Sequence, residues 1–405
     1  MLATLRQRNF ALLWAGGLIS GTGDWLLMIG LPIYVYLLTG SALQTSTLFM
    51  VELLPTILLG SVAGVFVDHW DRRRTLVIGN ALQGILLLSL LAVHSVAHLW
   101  LVYVVALIES VISQFTGPAA SALLPNLVGE EHIVSANALV SVNNNLARLV
   151  GSPLGGFIVG FWSLTGVVLL DSASFFFAMV MIVAVSASPK RPEASAAEAS
   201  PSPVLAVWRE WLSGLALVPR SRVISSLFFI ASLQAAAQGI FLVLYVIFVL
   251  KILRGGATGV GVLRGVQAIG GFLGGVLVGW LGDRVRPPLL IGIGAIGFGL
   301  IRLAIWNSPS LVPGITLAAA LFVAAGLPGA AYGAGLVTML QTSTVSQYRG
   351  RIFGAFNATY AVLQSLGMGL AGLLGDRIGV IPVLNAQAGI YILAGLLALA
   401  LLSTG

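Results

Sequence analysis

The chain has 405 residues, 58% of them hydrophobic and 8% charged, where soluble domains carry about one quarter charged residues. That composition excludes a water-soluble globule, and at about 20 apolar residues per crossing it supplies many membrane spans rather than one anchor. The formal charge of +7 sits in short clusters between apolar runs and forms no basic domain, so it marks topology and not a nucleic-acid partner.

The first apolar run is too long for a signal-peptide core and lacks a small-residue cleavage pattern, so it reads as a mature helix. In chain order, apolar runs bounded by charges, Pro or Gly predict helices at 10–38, 43–67, 75–94, 98–124, 133–161 and 164–187. After a break come 222–250, 257–282, 287–306, 310–341, 350–378 and 382–403. The fold class is therefore all-α and polytopic, with twelve transmembrane helices in two halves of six. The forty-nine glycines suit membrane helices, where small residues let backbones approach closely.

Between the halves, PKRPEASAAEASPSP (189–203) has the composition of a flexible linker, and VLAVWREWLSGLALV (204–218) that of an interfacial helix. The domains read as 1–188, a linker region 189–221, and 222–405. Fourteen of the twenty Lys and Arg residues fall on the side of the N-terminus, which puts both termini in the cytoplasm. The halves echo each other: GVFVDHWDRRR (64–74) is matched by GWLGDRVR (279–286), and Asn137-Ala138 by Asn357-Ala358. Both offsets are close to half the chain, the mark of a duplicated six-helix unit and the construction expected of a secondary transporter.

In these segments the chain resembles the major facilitator superfamily, in its drug and siderophore exporter branch of macrolide-efflux and enterobactin-exporter proteins. GVFVDHWDRRR resembles the superfamily signature Gly-x-x-x-Asp-x-x-Gly-Arg-Arg/Lys, with Asp71 in place of the second Gly. PNLVGEEHIVSANAL (125–139) and SQYRGRIFGAFNA (346–358) resemble two further loops of the branch. The resemblance implies a cytoplasmic gate formed by Gly64, Asp68, Arg72 and Arg73 with Asp283 and Arg284. Opposed charges at helix ends can latch the two halves there. GSPLGG (Gly151, Pro153, Gly155, Gly156) resembles the antiporter signature Gly-Pro-x-x-Gly-Gly with its proline one position late, and favours export over uptake.

A charge at mid-membrane costs about 2.5 to 3.5 kcal/mol on insertion scales, so ionisable residues within spans are functional candidates. Asp24, Glu109 and Arg148 lie near mid-depth and are expected to form a proton-coupling cluster, with Glu52 nearer the outside. Burial disfavours a charged carboxyl and a neighbouring arginine favours it, so a conformational change can switch its protonation; a static buried ion pair is the alternative. Asp171 reads as a structural hydrogen-bonding group, because the family's sixth helix is peripheral.

The second half holds Arg264 and Arg302 but no acid deep in the membrane. Substrate-cavity candidates are Trp25, Gln234, Gln238, Gln267, Tyr360 and Gln364, with Tyr332 as a further donor and Phe115 and Phe241 as apolar wall. The expected partners are a small amphipathic solute, protons and the lipid bilayer, with no nucleic acid, and the chain is expected to act as a monomer in the inner or plasma membrane. No cofactor or metal is expected: the chain is cysteine-free, and His94 and His98 fall in a short connection without a third ligand. No Walker lysine motif is present, so a built-in ATPase is excluded. An uptake symporter or a lipid flippase on the same fold, a channel and a membrane-embedded enzyme are the competing functions.

Overall fold

The structure is a computed structural model and describes residues 2–186, 211–212, 215–281, 284–345 and 348–402. The predicted linker 189–203, most of the segment 204–218 and Asp283 lie outside them. After a short helical turn at Leu2–Leu5, the long helices are α1 (Arg8–Thr39), α2 (Ala42–His69), α3 (Arg72–Leu88), α4 (Leu99–Val128), then α5 and α6 within Ile133–Val183. They continue with α7 (Arg222–Ile247), α8 (Gly256–Leu281), α9 (Pro287–Leu311), α10 (Thr316–Thr342), α11 (Arg349–Ile378) and α12 (Val380–Leu402). Eleven described helical stretches are long and apolar enough to cross a bilayer. The 51-residue stretch Ile133–Val183 is broken at Ser163 (φ 58, ψ −158) and holds two spans, which makes twelve.

Local chemistry sets the ends. Asp71 caps α3, its Oδ1 accepting from the Arg74 backbone N–H at 2.7 Å, so that helix begins at Arg72 and not at residue 75 as predicted. Ser221 caps α7 in the same way through the backbone N–H of Ile224. The predicted break near 307–309 shifts: Pro309 is taken into the end of α9, and the chain turns after Leu311 through Gly314 at φ +102, a backbone conformation open to glycine.

The chain forms two compact units. Unit 1 holds Met1–Thr39 and Val51–Val204, and unit 2 holds Gly40–Met50 and Leu205–Gly405. The sequence assigns all of α2 to the first half, whereas its opening turns belong with unit 2. Asp376, at the end of α11, accepts hydrogen bonds from the backbone N–H of Ala42 (3.0 Å) and Leu43 (3.2 Å) and from the Ser41 hydroxyl (3.0 Å). Beside this cap, a Cβ on Gly372 would strike the Ser46 side chain and come within 3.0 Å of the Leu43 backbone.

Each unit is welded by glycines on equivalent helices. In unit 1, α1 runs against the α5–α6 stretch, and a Cβ on Gly151 would come within 2.5 Å of the Thr22 carbonyl and 2.7 Å of Trp25 Cβ. One turn on, a Cβ on Gly155 would meet the Leu26 carbonyl at 2.8 Å. In unit 2, α7 meets α11 through Gly239 against the Gln364 backbone and Gly367 against the Ala236 backbone. The first and fifth helices of each half thus use one small-residue device, as the duplication predicts. The GSPLGG segment, read as an antiporter signature, is in physical terms this helix contact.

The core of unit 2 contains a cation. Arg302 on α9 is buried, its guanidinium 3.9 Å from the Phe241 ring centroid, 4.7 Å from Phe298, 5.3 Å from Phe322 and 5.4 Å from Trp306. Four aromatic faces stand where a carboxylate would otherwise be needed.

Candidate functional site

Unit 1 gathers three of its intramembrane acids. Glu109 on α4 is half-buried, and its Oε1 accepts from Gln83 Nε2 of α3 at 2.6 Å. Gln83 is buried and also reaches Ser113 Oγ at 3.3 Å, which orients the amide; the second oxygen of Glu109 is enclosed without a partner. Asp171 on α6 is fully buried, with Oδ1 accepting from Ser174 Oγ at 3.2 Å and Oδ2 unpartnered. Its carboxyl lies over Gly23 of α1, where any Cβ would collide with it. Asp24, the next residue, is exposed. The charges of Asp24 and Glu109 act on one another and on Asp171, so the three form one electrostatic group drawn from α1, α4 and α6.

Two expectations change. Arg148 does not pair with these acids: its guanidinium donates to Asn145 Oδ1 at 3.2 Å, one turn back on its own helix, and no ion pair joins it to a described residue. An arginine on α5 sharing their depth need not share their direction, which depends on helical phase. Asp171, read from sequence as structural on a peripheral helix, belongs to the group; Gly23, bare of a side chain, is what admits it to Asp24. Gln83 is absent from the sequence candidates, and a polar amide one turn from Asn80 in the apolar part of α3, beyond its arginines, is the available signal. Glu52 is half-buried on α2, and its backbone carbonyl accepts from Ser110 Oγ at 2.6 Å, tying α2 to α4.

The cavity candidates divide. Trp25 is half-buried, with its Cβ against Gly151. In unit 2, Gln267 accepts from Arg264 at 3.0 Å, Gln238 accepts from the Tyr391 hydroxyl at 3.3 Å, and Tyr332, Tyr360 and Gln364 are half-buried. Gln234 is buried with both amide atoms unpartnered, and Phe241 is enclosed in the Arg302 cage, so neither lies on a wall here.

Of the gate residues, Arg72 donates to the Ala122 carbonyl at 3.2 Å, and Arg73 to the carbonyls of Ile182 (3.1 Å) and Val183. Arg73 therefore binds the end of α6, where a cation complements C-terminal carbonyls, and Arg72 ties α3 to α4 within the same unit. The Asp68 side chain is not among those described; Arg284 stacks on Trp280 at 5.4 Å. Among the described residues no group of three or more His, Cys, Asp or Glu has the arrangement of a metal site.

Carboxyls with amide and hydroxyl partners are groups able to take up and release protons. Comparison with known proteins places the chain in a family. The sequence model of the Major Facilitator Superfamily matches residues 13–242 and 227–404. The chain is 26% identical to an uncharacterized MFS-type transporter, YfiS, of Bacillus subtilis (97% of this chain, 93% of the relative). It is 23% identical to macrolide efflux protein A of Streptococcus pyogenes (92% and 90%) and 26% identical to the enterobactin exporter EntS of Citrobacter koseri (93% and 88%). Among solved structures it is similar in fold to the nucleoside transporter NupG (TM-score 0.78, 14% identity, 97% of this chain and 99% of that one). A bacterial homologue of the iron transporter ferroportin in an inward-facing state is also similar (TM-score 0.75, 16% identity, 97% and 98%). The chain belongs to the Major Facilitator Superfamily and is a membrane transporter, not an enzyme.

Proposed function

We propose that the chain exports an amphipathic organic solute by alternating access, driven by protons that enter and leave through the acids of unit 1. The observation that carries this reading is the Asp24, Glu109 and Asp171 group, whose electrostatic neighbours are acids and not arginines. An enclosed carboxyl without a cation beside it is held at least cost as the neutral acid, and one open to water as the carboxylate. A change of access at this group therefore exchanges a proton. Glu109 is the best-placed carrier, because Gln83 fixes one of its oxygens and leaves the other free to be protonated.

Export, and not uptake, is supported by the relatives named for macrolide efflux and enterobactin export. The distribution of basic clusters supports both termini in the cytoplasm of a plasma-membrane protein; a monomer, with both six-helix halves in one chain, is the proposed working unit. Gly64, Asp68, Asp283 and Arg284 belong to its gate segments, where Arg72 and Arg73 tie α3 to α4 and to the end of α6 so that unit 1 moves as one body. Transport assays in cells expressing the chain, with a panel of dyes, macrolides and siderophores and with or without an uncoupler, test the reading. Lower accumulation of at least one amphipathic compound, abolished by the uncoupler, is expected; export insensitive to the uncoupler would overturn proton coupling.

A further inference from the structure

Unit 1 has a groove of about 550 Å³ between the end of α2, the first turns of α3 and the middle of α4. Its wall is apolar, with Ile78 and Leu82 on one side and Val111 and Phe115 on the other, and its mouth holds His69, Asp71, Arg74 and Thr75, the Asp71 carboxylate being engaged as the cap of α3. Ile78 and Leu82 are 57% and 50% exposed and lie one turn apart on the stripe of α3 that continues to Ile85, 59% exposed. A stripe of exposed aliphatic side chains on a membrane helix faces lipid, so the groove opens sideways to the bilayer. Trp70, which also lines it, stacks on Phe115 with ring centroids 5.5 Å apart, an amphipathic ring at the level where the charged cluster begins.

The three arginines at that level are not equivalent. Arg72 and Arg73 are engaged with the carbonyls of Ala122, Ile182 and Val183. Arg74 is exposed, and its guanidinium makes no hydrogen bond or ion pair with a described residue. Its backbone is fixed all the same, because Asp71 Oδ1 accepts from its N–H at 2.7 Å as the cap of α3. One held cation, with no hydrogen-bond or ion-pair partner for its guanidinium among the described residues, thus stands above an apolar slot open to the bilayer. The close approach of α3 and α4 at Gly79 and Thr116, where a Cβ on the glycine would collide, closes the floor.

We propose that this groove is a binding site for an anionic glycerophospholipid, one acyl chain in the slot and the phosphate on Arg74. Basic pockets between membrane helices recognise anionic headgroups in this way, each arginine near the surface adding about fivefold in affinity. The site is independent of transport direction and substrate. Because the slot borders α3 and α4 beside the Gln83–Glu109 hydrogen bond, an occupant braces the joint between those helices.

The purified full-length chain, delipidated in detergent, is to be titrated with palmitoyl-oleoyl phosphatidylglycerol, with the matching phosphatidylcholine, and with inorganic phosphate, following lipid adducts by native mass spectrometry and melting by tryptophan fluorescence. Phosphatidylglycerol is expected to bind about fivefold more tightly than phosphatidylcholine, with inorganic phosphate giving no shift in melting. Arg74→Gln should bring the ratio close to one. Leu82→Trp, on the lipid-facing wall where it disturbs no core contact, should weaken binding of both lipids. A ratio unchanged in Arg74→Gln, wild-type lipid binding in Leu82→Trp, or a response to phosphate equal to that of the lipid would each overturn the assignment.

Discussion

Replacing Asp376 with alanine should loosen the start of α2 without unfolding the chain. Its carboxylate accepts from two backbone N–H groups of the opening turn, Ala42 at 3.0 Å and Leu43 at 3.2 Å, and holds the Ser41 hydroxyl at 3.0 Å. A helix has four such N–H groups without internal partners, and a side-chain cap is worth about 0.5–2 kcal/mol. Asp376 is exposed, so the charge is screened and the cost sits near the lower part of that range, about 1 kcal/mol, or about a fivefold rise in local opening. Asp376→Asn keeps one acceptor oxygen and should show a smaller rise. Hydrogen exchange followed by mass spectrometry on peptides covering residues 41–47 reads this directly. Exchange there unchanged in Asp376→Ala would show that the Gly372 contacts alone dock α2 on α11, and the cap would have no energetic role.

The glycine contacts make a sharper contrast. Gly151→Leu forces a side chain into the Thr22 carbonyl, which cannot retreat without moving α1, and should abolish monodisperse protein on size exclusion, whereas Gly271→Ala, with nothing within 4 Å, should be recovered at wild-type yield. For topology, a single cysteine at Ser200 in this cysteine-free chain should resist an impermeant thiol reagent in intact cells and react after permeabilisation. Labelling from outside would reverse the proposed orientation.

Much of the fold was legible because a bilayer imposes one coarse rule, a run of about 20 apolar residues for each span. The break between α5 and α6 was visible in the same way, since Trp162 and Ser163 interrupt two apolar runs, although Ser163 makes the turn with no loop at all. What composition does not carry is helical phase. Arg148 and Glu109 share a depth, yet the arginine turns to Asn145 and the acid to Gln83. Gln234 and Phe241 carry the chemistry of a cavity wall but face the interior of unit 2, because a fully apolar helix gives no amphipathic stripe from which to read direction.

Long-range partners were equally hidden. Asp376 falls inside the predicted helix 350–378 with nothing to name its partner, and only the folded chain brings it to residues 41–43, which moves the opening turns of α2 into unit 2. Arg72 and Arg73 read as half of a latch, whereas their hydrogen bonds go to backbone carbonyls of unit 1, on α4 and at the end of α6. Asp171 was discounted for lying on a peripheral helix, and Gly23 is the residue that reverses this by leaving room for its carboxyl.

The central claim, that Glu109 carries the coupling proton, is tested most directly by comparing wild type with Glu109→Gln in proteoliposomes, once the cell assay has identified an exported compound. The amide preserves size and retains an oxygen to accept from Gln83, so folding and binding should survive, but it cannot gain and lose a proton. An imposed pH gradient should drive accumulation against a concentration gradient in the wild type and none in the variant, while exchange of labelled for unlabelled compound at equal pH persists in both. Uphill transport by Glu109→Gln with the pH dependence of the wild type would contradict the account and move the coupling to Asp24 or Asp171.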